Sequence, residues 1–472
     1  MRSAVTRSVD LRRVPYLLLL CALGLGLGAS ALFYPAGIAF VLPAVGTVLV
    51  LLALCRFCGK SNPNGNTRIV DWCIGSFVLH LALGLIIWNV GSLRDYLGPD
   101  AGGYHVDAIQ LAQHWLVHAP SPMLPTGKEG FYFLLAALYW AFGPHAEAGL
   151  IIDAGLMAAV VPVMADATYR QFGAKAARCA PVIVTLLPGF VIWGSQLLRE
   201  AGVYLLIAVA LNCTIRLVRR PTLAASVTLA LAAALMATFR ADVALIVTAG
   251  LMIGLVVGRR AGSAGLMATT GTAVIVGLLI LGAGIGYSGF HLVTHSSLQD
   301  ISTVRTGSSQ GVSSGFLPSA DVGTTGGAVA YLPLGVTYFS LGPLPWQIHG
   351  ARQLPALPDA LAWWFLLPSL WTGIAVARRR VGREVLLALI PALLLTVALS
   401  LLIANFGTTV RERMQVILLL VPLISVGWSE RRERYTAPTS VYQQPVALVA
   451  IQDSDITPDS QLPAPAPTQP QR

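Results

Sequence analysis

Apolar runs of 18 or more residues recur from Pro15 almost to Trp428, separated by short polar clusters. A helix needs about 20 such residues to cross a hydrocarbon layer about 30 Å thick, so the pattern predicts an all-α polytopic membrane protein. Twelve spans follow, at approximately 14–34, 37–55, 72–90, 147–168, 180–197, 201–218, 222–239, 242–258, 264–287, 359–377, 384–404 and 413–428. The first run follows Arg2, Arg7, Arg12 and Arg13 as a secretory leader would. No convincing small-residue cleavage site precedes the next run, so it reads as an uncleaved helix. The chain divides into a two-helix extension (1–71), a transmembrane domain (72–430) and a Pro/Gln-rich tail (431–472) whose composition predicts disorder.

Two intervals break the rhythm. Within 91–146, the stretch Gly130–Phe142 (GFYFLLAALYWAF) is apolar but too short to span, and predicts a helix lying in the membrane interface. Interval 289–358 begins polar and Gly/Ser-rich and ends apolar and Pro-rich, like a loop followed by a re-entrant element.

Only 11% of the 472 residues are charged, against roughly 25% in soluble domains, which excludes that class. The net charge of +10 raises nucleic acid as a partner, but Lys and Arg fall in short clusters with no aromatic-interleaved basic face, so none is expected. Those clusters set orientation instead. With both termini cytoplasmic, 23 of the 31 Lys and Arg face inside, which predicts a multi-pass protein of the cytoplasmic membrane. Counting 130–142 as a span would invert everything downstream and turn the clusters at Arg170, Arg259 and Arg378 outward. The six cysteines lie in or beside apolar runs, and Cys55-Arg-Phe-Cys58 has no second pair or His cluster to make a redox or zinc site.

Charged side chains at the outer ends of spans are the first place to seek chemistry, because they are costly within the bilayer. The richest stretch is Leu97–Ala112 (LGPDAGGYHVDAIQLA), where Pro99-Asp100 and Gly102-Gly103 impose a turn after the third span. Asp100 can deprotonate an acceptor hydroxyl or hold a divalent ion, Mg or Mn; an Asp here serves equally well as a helix N-cap. Tyr104, His105 and Asp107 follow, with Asp107 three residues from Tyr104 and seven from Asp100, on one helical face. Lys128 and Glu129 lie in the same loop system, while Arg199, Glu200, Arg240, Arg411 and Arg413 stand at outer span ends. Arginine suits bidentate phosphate contact, although each of these alone reads as readily as a snorkelling interface residue. Arg199 ranks first among them because Glu200 beside it sits in a tight hairpin.

The order of these motifs resembles GT-C-type membrane glycosyltransferases, the class of protein O-mannosyltransferases and lipid A aminoarabinose transferases. That class has an acidic residue soon after an early span, here Asp100, followed by an aromatic and an Ala/Leu-rich helix. It then has a P…G…Y segment feeding an interfacial helix that ends in Phe-Gly, here Pro125 through Lys128-Glu129-Gly130-Phe131-Tyr132 to Phe142-Gly143. Ser195-Gln196-Leu197-Leu198-Arg199-Glu200 looks like its polar outer junction, and Arg411-Glu412-Arg413 before Val421-Pro422 like the opening of its late helix. The similarity covers roughly 75–430. In this chain two spans precede the helix leading to Asp100, one acidic candidate stands where some members have a pair, and no large soluble domain follows the last span.

The resemblance implies a GT-C-like fold and transfer of a sugar from a polyprenyl-phosphate donor to a glycan, lipid or protein acceptor at the outer face. Asp100 would be the general base, and Tyr104, His105, Asp107, Lys128, Glu129, Arg199, Glu200, Arg240, Arg411 and Arg413 the substrate-binding set. No cofactor is firmly expected beyond the divalent ion already named. A polymerase or ligase of lipid-linked polysaccharide shares these features. A transporter or lipid flippase should show inverted repeats and charges near the bilayer midplane, and the sequence has neither.

Overall fold

The computed structural model describes residues 37–59, 66–120, 122, 124, 127–258, 271, 297–309, 315–317, 320–348, 350 and 353–436. The spans expected at 14–34 and 264–287, Pro125, and the tail beyond Thr436 lie outside the described residues. Through Arg432 the chain forms one compact unit; the second, from Glu433, is described only at Glu433–Thr436.

The described residues are helical, with a single isolated bridge between Gly315 and Asn405. In chain order the helices are α1 (Gly37–Gly59), α2 (Asn66–Asn89), α3 (Gly91–Leu97), α4 (Asp100–Leu116), α5 (Glu129–Phe142), α6 (Ala146–Phe172), α7 (Ala180–Leu186) and α8 (Pro188–Trp193). Then come α9 (Glu200–Arg219), α10 (Leu223–Phe239), α11 (Ala241–Gly258), α12 (Leu298–Ser309), α13 (Thr325–Leu341), α14 (Ala356–Arg380), α15 (Leu386–Leu402) and α16 (Phe406–Thr436). Seven segments of the described residues are long and apolar enough to cross a membrane, lying in α1, α2, α6, α9, α11, α14 and the Gly382–Leu402 stretch that holds α15.

The apolar run at 180–197 is not one continuous helix. Pro188 removes a backbone donor and forces Leu187 into extended backbone (φ −64, ψ 125), so the run divides into α7 and α8 and ends at Gly194. The run at 222–239 folds as the 17-residue α10, about 26 Å long at 1.5 Å per residue, which leads from the Arg219 end to Arg240. The late run lies inside the 31-residue α16. The stretch expected to be interfacial is α5, 14 residues long, and the Pro-rich end of interval 289–358 holds α13, 17 residues with Pro333 inside it.

Helix α6 is the hub, with α1, α2 and α9 all packed on it. Within a bilayer, close packing of small residues replaces hydrophobic segregation as the source of helix affinity. Gly155 of α6 lies against Thr47 of α1. Where α14 crosses α16, a β-carbon on either Gly373 or Gly427 would overlap the other helix's backbone. Cys73 of α2 donates its thiol to the Ala158 carbonyl of α6 (3.4 Å), and the described cysteines Cys55, Cys58, Cys73, Cys179 and Cys213 are all free.

Polar residues segregate to opposite ends of the long helices. At one end of α6 and α9, Asp166 binds Arg170 (2.9 Å) and Arg216 (2.7 Å), and Arg219–Glu384 and Arg380–Glu430 join the elements that follow. The other end of α9 opens with Glu200, 20 residues or about 30 Å from Arg219. At that second end stand Asp100, Arg240 and Arg411.

Candidate active site

Helix α4 starts directly after Gly98-Pro99. Pro99 occupies the N-cap position, with no side-chain cap, and Asp100 is the first helical residue. The helix buries Ala101, Tyr104, Ala108, Leu111 and Ala112, the three- and four-residue spacing of one face. That face meets α5, where Tyr104 stands edge-on to Phe131 (5.1 Å) and Trp115 stacks on Phe133 (5.8 Å). His105 Nδ1 and the Tyr139 hydroxyl lie 2.8 Å apart, and Asp107 lies close enough to Tyr132 to raise its phenol. Burial pushes the Tyr104 and Tyr132 phenols up, so both stay neutral donors. Burial likewise lowers His105 despite the neighbouring Glu147. Tyr104 and His105 thereby fasten α4 to α5 and fix the direction in which Asp100 emerges.

Successive residues of a helix are rotated by about 100°, so the run Arg411-Glu412-Arg413 of α16 points three ways. Arg411 Nη1 reaches Asp100 Oδ2 at 3.1 Å, and its Nε edge faces Glu200 Oε1 (3.4 Å) and Glu412 Oε1 (3.5 Å). Both glutamates are 1% exposed, whereas Asp100 is 57% exposed. Glu412 also pairs with Arg240 and accepts from Gln415 (2.6 Å). Arg240 in turn meets Asp242 at 3.3 Å. The result is a continuous chain of alternating charge from Asp100 through Arg411, Glu200 and Glu412 to Arg240 and Asp242. Burial works against the Arg411 charge, but Glu200 and Glu412 more than offset it and hold the guanidinium above its ordinary value. Tyr204 donates to the Arg411 carbonyl (3.2 Å), and the Trp193 ring lies 5.8 Å from the guanidinium.

Arg413 faces the other way. Its guanidinium binds Asp359 Oδ2 (2.8 Å) and the carbonyls that end α13, Gly342 foremost, with its side chain 2% exposed. Arg199 occupies the N-cap position of α9 and donates to the Phe239 carbonyl at the end of α10 (3.3 Å). Lys128 and Glu129, both half-buried, open α5. Burial, then the charge of Arg199, lowers the Lys128 ammonium below its ordinary value; Asp100 opposes this, while Arg240 and Arg411 add to it.

A cavity of about 590 Å³ lies in front of this network, within the usual range of small-molecule sites. Asp100 and Arg411 line it together with Trp193, Gln353, Asn405 and Phe406. Of the sequence-derived candidates, the cavity lining holds Asp100 and Arg411; Glu200 and Arg240 stand behind Arg411, and Lys128 and Arg199 form a neighbouring cationic group. Glu412, Asp242 and Asp359 belong to the charge network but carry little sequence signal beyond their place at outer span ends.

Among the described residues no group of three or more His, Cys, Asp or Glu could hold a metal ion. Each carboxylate at the cavity is already matched to an arginine: Asp100 to Arg411, Asp95 to Arg94 (3.3 Å) and Asp359 to Arg413. That donor set does not fit a divalent ion.

No protein-family model and no curated protein sequence matches the chain. Crystal structures of ArnT from Cupriavidus metallidurans, a lipid A aminoarabinose transferase, are similar to it in fold. The form bound to undecaprenyl phosphate aligns with a TM-score of 0.46 at 18% identity, covering 75% of this chain and 60% of ArnT. The apo form gives 0.45 and 18%, covering 76% and 60%. The chain thus spans about 60% of the length of the ArnT structures it resembles.

Proposed function

We propose that this protein is an integral-membrane glycosyltransferase that moves a sugar from a polyprenyl-phosphate donor to an acceptor hydroxyl at the outer face of the cytoplasmic membrane. The observation that carries the reading is the Asp100–Arg411 pair (3.1 Å) at the mouth of a cavity of about 590 Å³. Transfer needs a carboxylate to take the acceptor's proton and a fixed cation to take the charge of the departing phosphate, and the pair brings both to one place.

In this mechanism the acceptor oxygen bonds to the anomeric carbon as its proton passes to Asp100. The bond from that carbon to the phosphate oxygen breaks, and its electron pair leaves with the phosphate. Arg411 meets the developing negative charge with two N–H groups in one plane, and its anchorage by Glu200 and Glu412 means no reorganisation is needed at that moment. Lys128 and Arg199 supply further positive potential from the neighbouring loop and hairpin. The partly exposed Trp193 in the cavity lining offers a pyranose ring an aromatic surface to stack on.

The test is Asp100→Asn in the purified full chain with a lipid-linked sugar donor. General-base catalysis contributes typically about 10²–10⁴-fold, so transfer should fall at least about a hundredfold with thermal stability unchanged. Transfer within a few-fold of the parent would refute the role of Asp100. Asp107→Asn and Glu129→Gln assayed in parallel would reveal a base elsewhere in the loop.

A further inference from the structure

We infer that Asp100 and the donor's phosphate compete for Arg411, so that the base is masked by its own partner until a phosphate takes the guanidinium. The inference rests on the glycosyltransferase reading above and adds the order of events at that site. The two members of the pair are held very differently. Arg411 is fixed from behind by Glu200 and Glu412, both 1% exposed, and Glu412 is itself held by Arg240 and Gln415. Asp100 is 57% exposed and has Arg411 as its ion-pair partner. An anion entering the cavity therefore displaces the exposed carboxylate and leaves the anchored guanidinium where it is.

The displacement has a chemical consequence. While Asp100 Oδ2 accepts from Arg411 Nη1, that oxygen is held at the guanidinium. Phosphate oxygens can use the same N–H edge in the two-pronged geometry that suits guanidinium, a stronger contact than one bond to a half-solvated carboxylate. Once they do, Asp100 is free to take the acceptor proton as the acceptor oxygen attacks the anomeric carbon and the phosphate departs with the bonding electrons. When the product phosphate leaves, Asp100 returns to Arg411. Asp100 is thus released from Arg411 only beside a bound donor.

The test measures binding of farnesyl phosphate to the full chain in phosphatidylcholine nanodiscs, with farnesol as the control lacking phosphate. Removing a partly exposed internal competitor should tighten binding modestly: Asp100→Asn is expected to bind farnesyl phosphate about three-fold more tightly than the parent. Arg411→Gln should weaken binding about tenfold or more. In the Arg411→Gln background, Asp100→Asn should have no further effect. Unchanged or weaker binding by Asp100→Asn, with Arg411→Gln still impaired, overturns the competition while the lipid-phosphate reading stands. A gain that persists without Arg411 shows simple charge repulsion by Asp100 and also overturns it, as does an equal gain with farnesol. Normal binding by Arg411→Gln removes both the competition and the assigned phosphate contact.

Discussion

Asp359, the acidic residue in the first turn of α14, and Arg413, in the second turn of α16, form a 2.8 Å ion pair with side chains 0% and 2% exposed. The other Asp359 oxygen accepts from the Gly189 amide at the start of α8 (2.9 Å). One carboxylate thus ties the broken helix to the two long helices that frame the cavity. Breaking a buried pair by removing one partner leaves an uncompensated charge, at a cost of about 3–5 kcal/mol. Arg413→Met should therefore lower the melting temperature in detergent sharply, whereas Asp359→Leu with Arg413→Met should recover part of the loss. A single variant that melts like the parent would contradict this structural role.

Much of the fold was legible because hydrophobic length is a local property. The apolar stretch at 130–142 became α5 within one residue, since Lys128-Glu129 and Gly143 bound it on both sides. The break at Pro188 was visible residue by residue but is lost when hydropathy is averaged over a span. The pairing at the site is another matter. Asp100 and Arg411 are 311 positions apart, and nothing in either neighbourhood selects the other. Adjacency in sequence even points elsewhere: Arg199 ranks first because Glu200 follows it, yet in the structure Glu200 turns to Arg411 while Arg199 caps α10. Helix packing decides such partnerships, and a span list does not contain it.

The membrane orientation gives a direct prediction. Reporter fusions after residues 120, 175, 310, 380 and 435 should read outside, inside, outside, inside and inside. The charge clusters at Arg170, Arg216, Arg378 and Arg380 require it. An outside reading at 175 would make α5 a spanning helix and separate Asp100 from Arg411 across the bilayer.

Arg305 of α12 is 1% exposed and donates to the Ile403 carbonyl (3.0 Å) just past α15 and to the Tyr331 hydroxyl (2.7 Å), whose ring lies 4.3 Å beneath the guanidinium. It thereby fastens the outer segment to the chain that leads through Asn405 and Phe406 into Arg411. Arg305→Gln leaves several of these groups unpaired, each at about 1–3 kcal/mol, and should increase hydrogen exchange and protease cutting in residues 297–309. Arg305→Lys should not rescue, because an ammonium cannot span the two acceptors and stack on the ring at once. Full protection in the lysine variant would reduce Arg305 to a simple charge.

The last prediction concerns the pH dependence of donor binding. Lys128 is half-buried, and burial together with Arg199, Arg240 and Arg411 holds its ammonium below the ordinary lysine value of about 10.4, against the pull of Asp100. The sign follows. A neutral amine is favoured more in the folded protein than in the unfolded chain, so the charge of Lys128 opposes folding below its lowered pKa, and this penalty is relieved as pH rises through it. Lys128→Gln should therefore leave the melting temperature at neutral pH unchanged or raise it. A donor phosphate reverses the balance by supplying the missing negative charge, and only the protonated amine attracts it. The KM for donor should accordingly climb on the alkaline side at a pH below that expected of an ordinary lysine, while kcat changes little. Lys128→Arg, charged throughout this range, should abolish the climb; Lys128→Gln should show a raised KM with no alkaline limb at all. If KM in the parent stays flat into the ordinary lysine range, or the arginine variant keeps the same limb, the titrating group is not Lys128 and its place in the cationic group is structural.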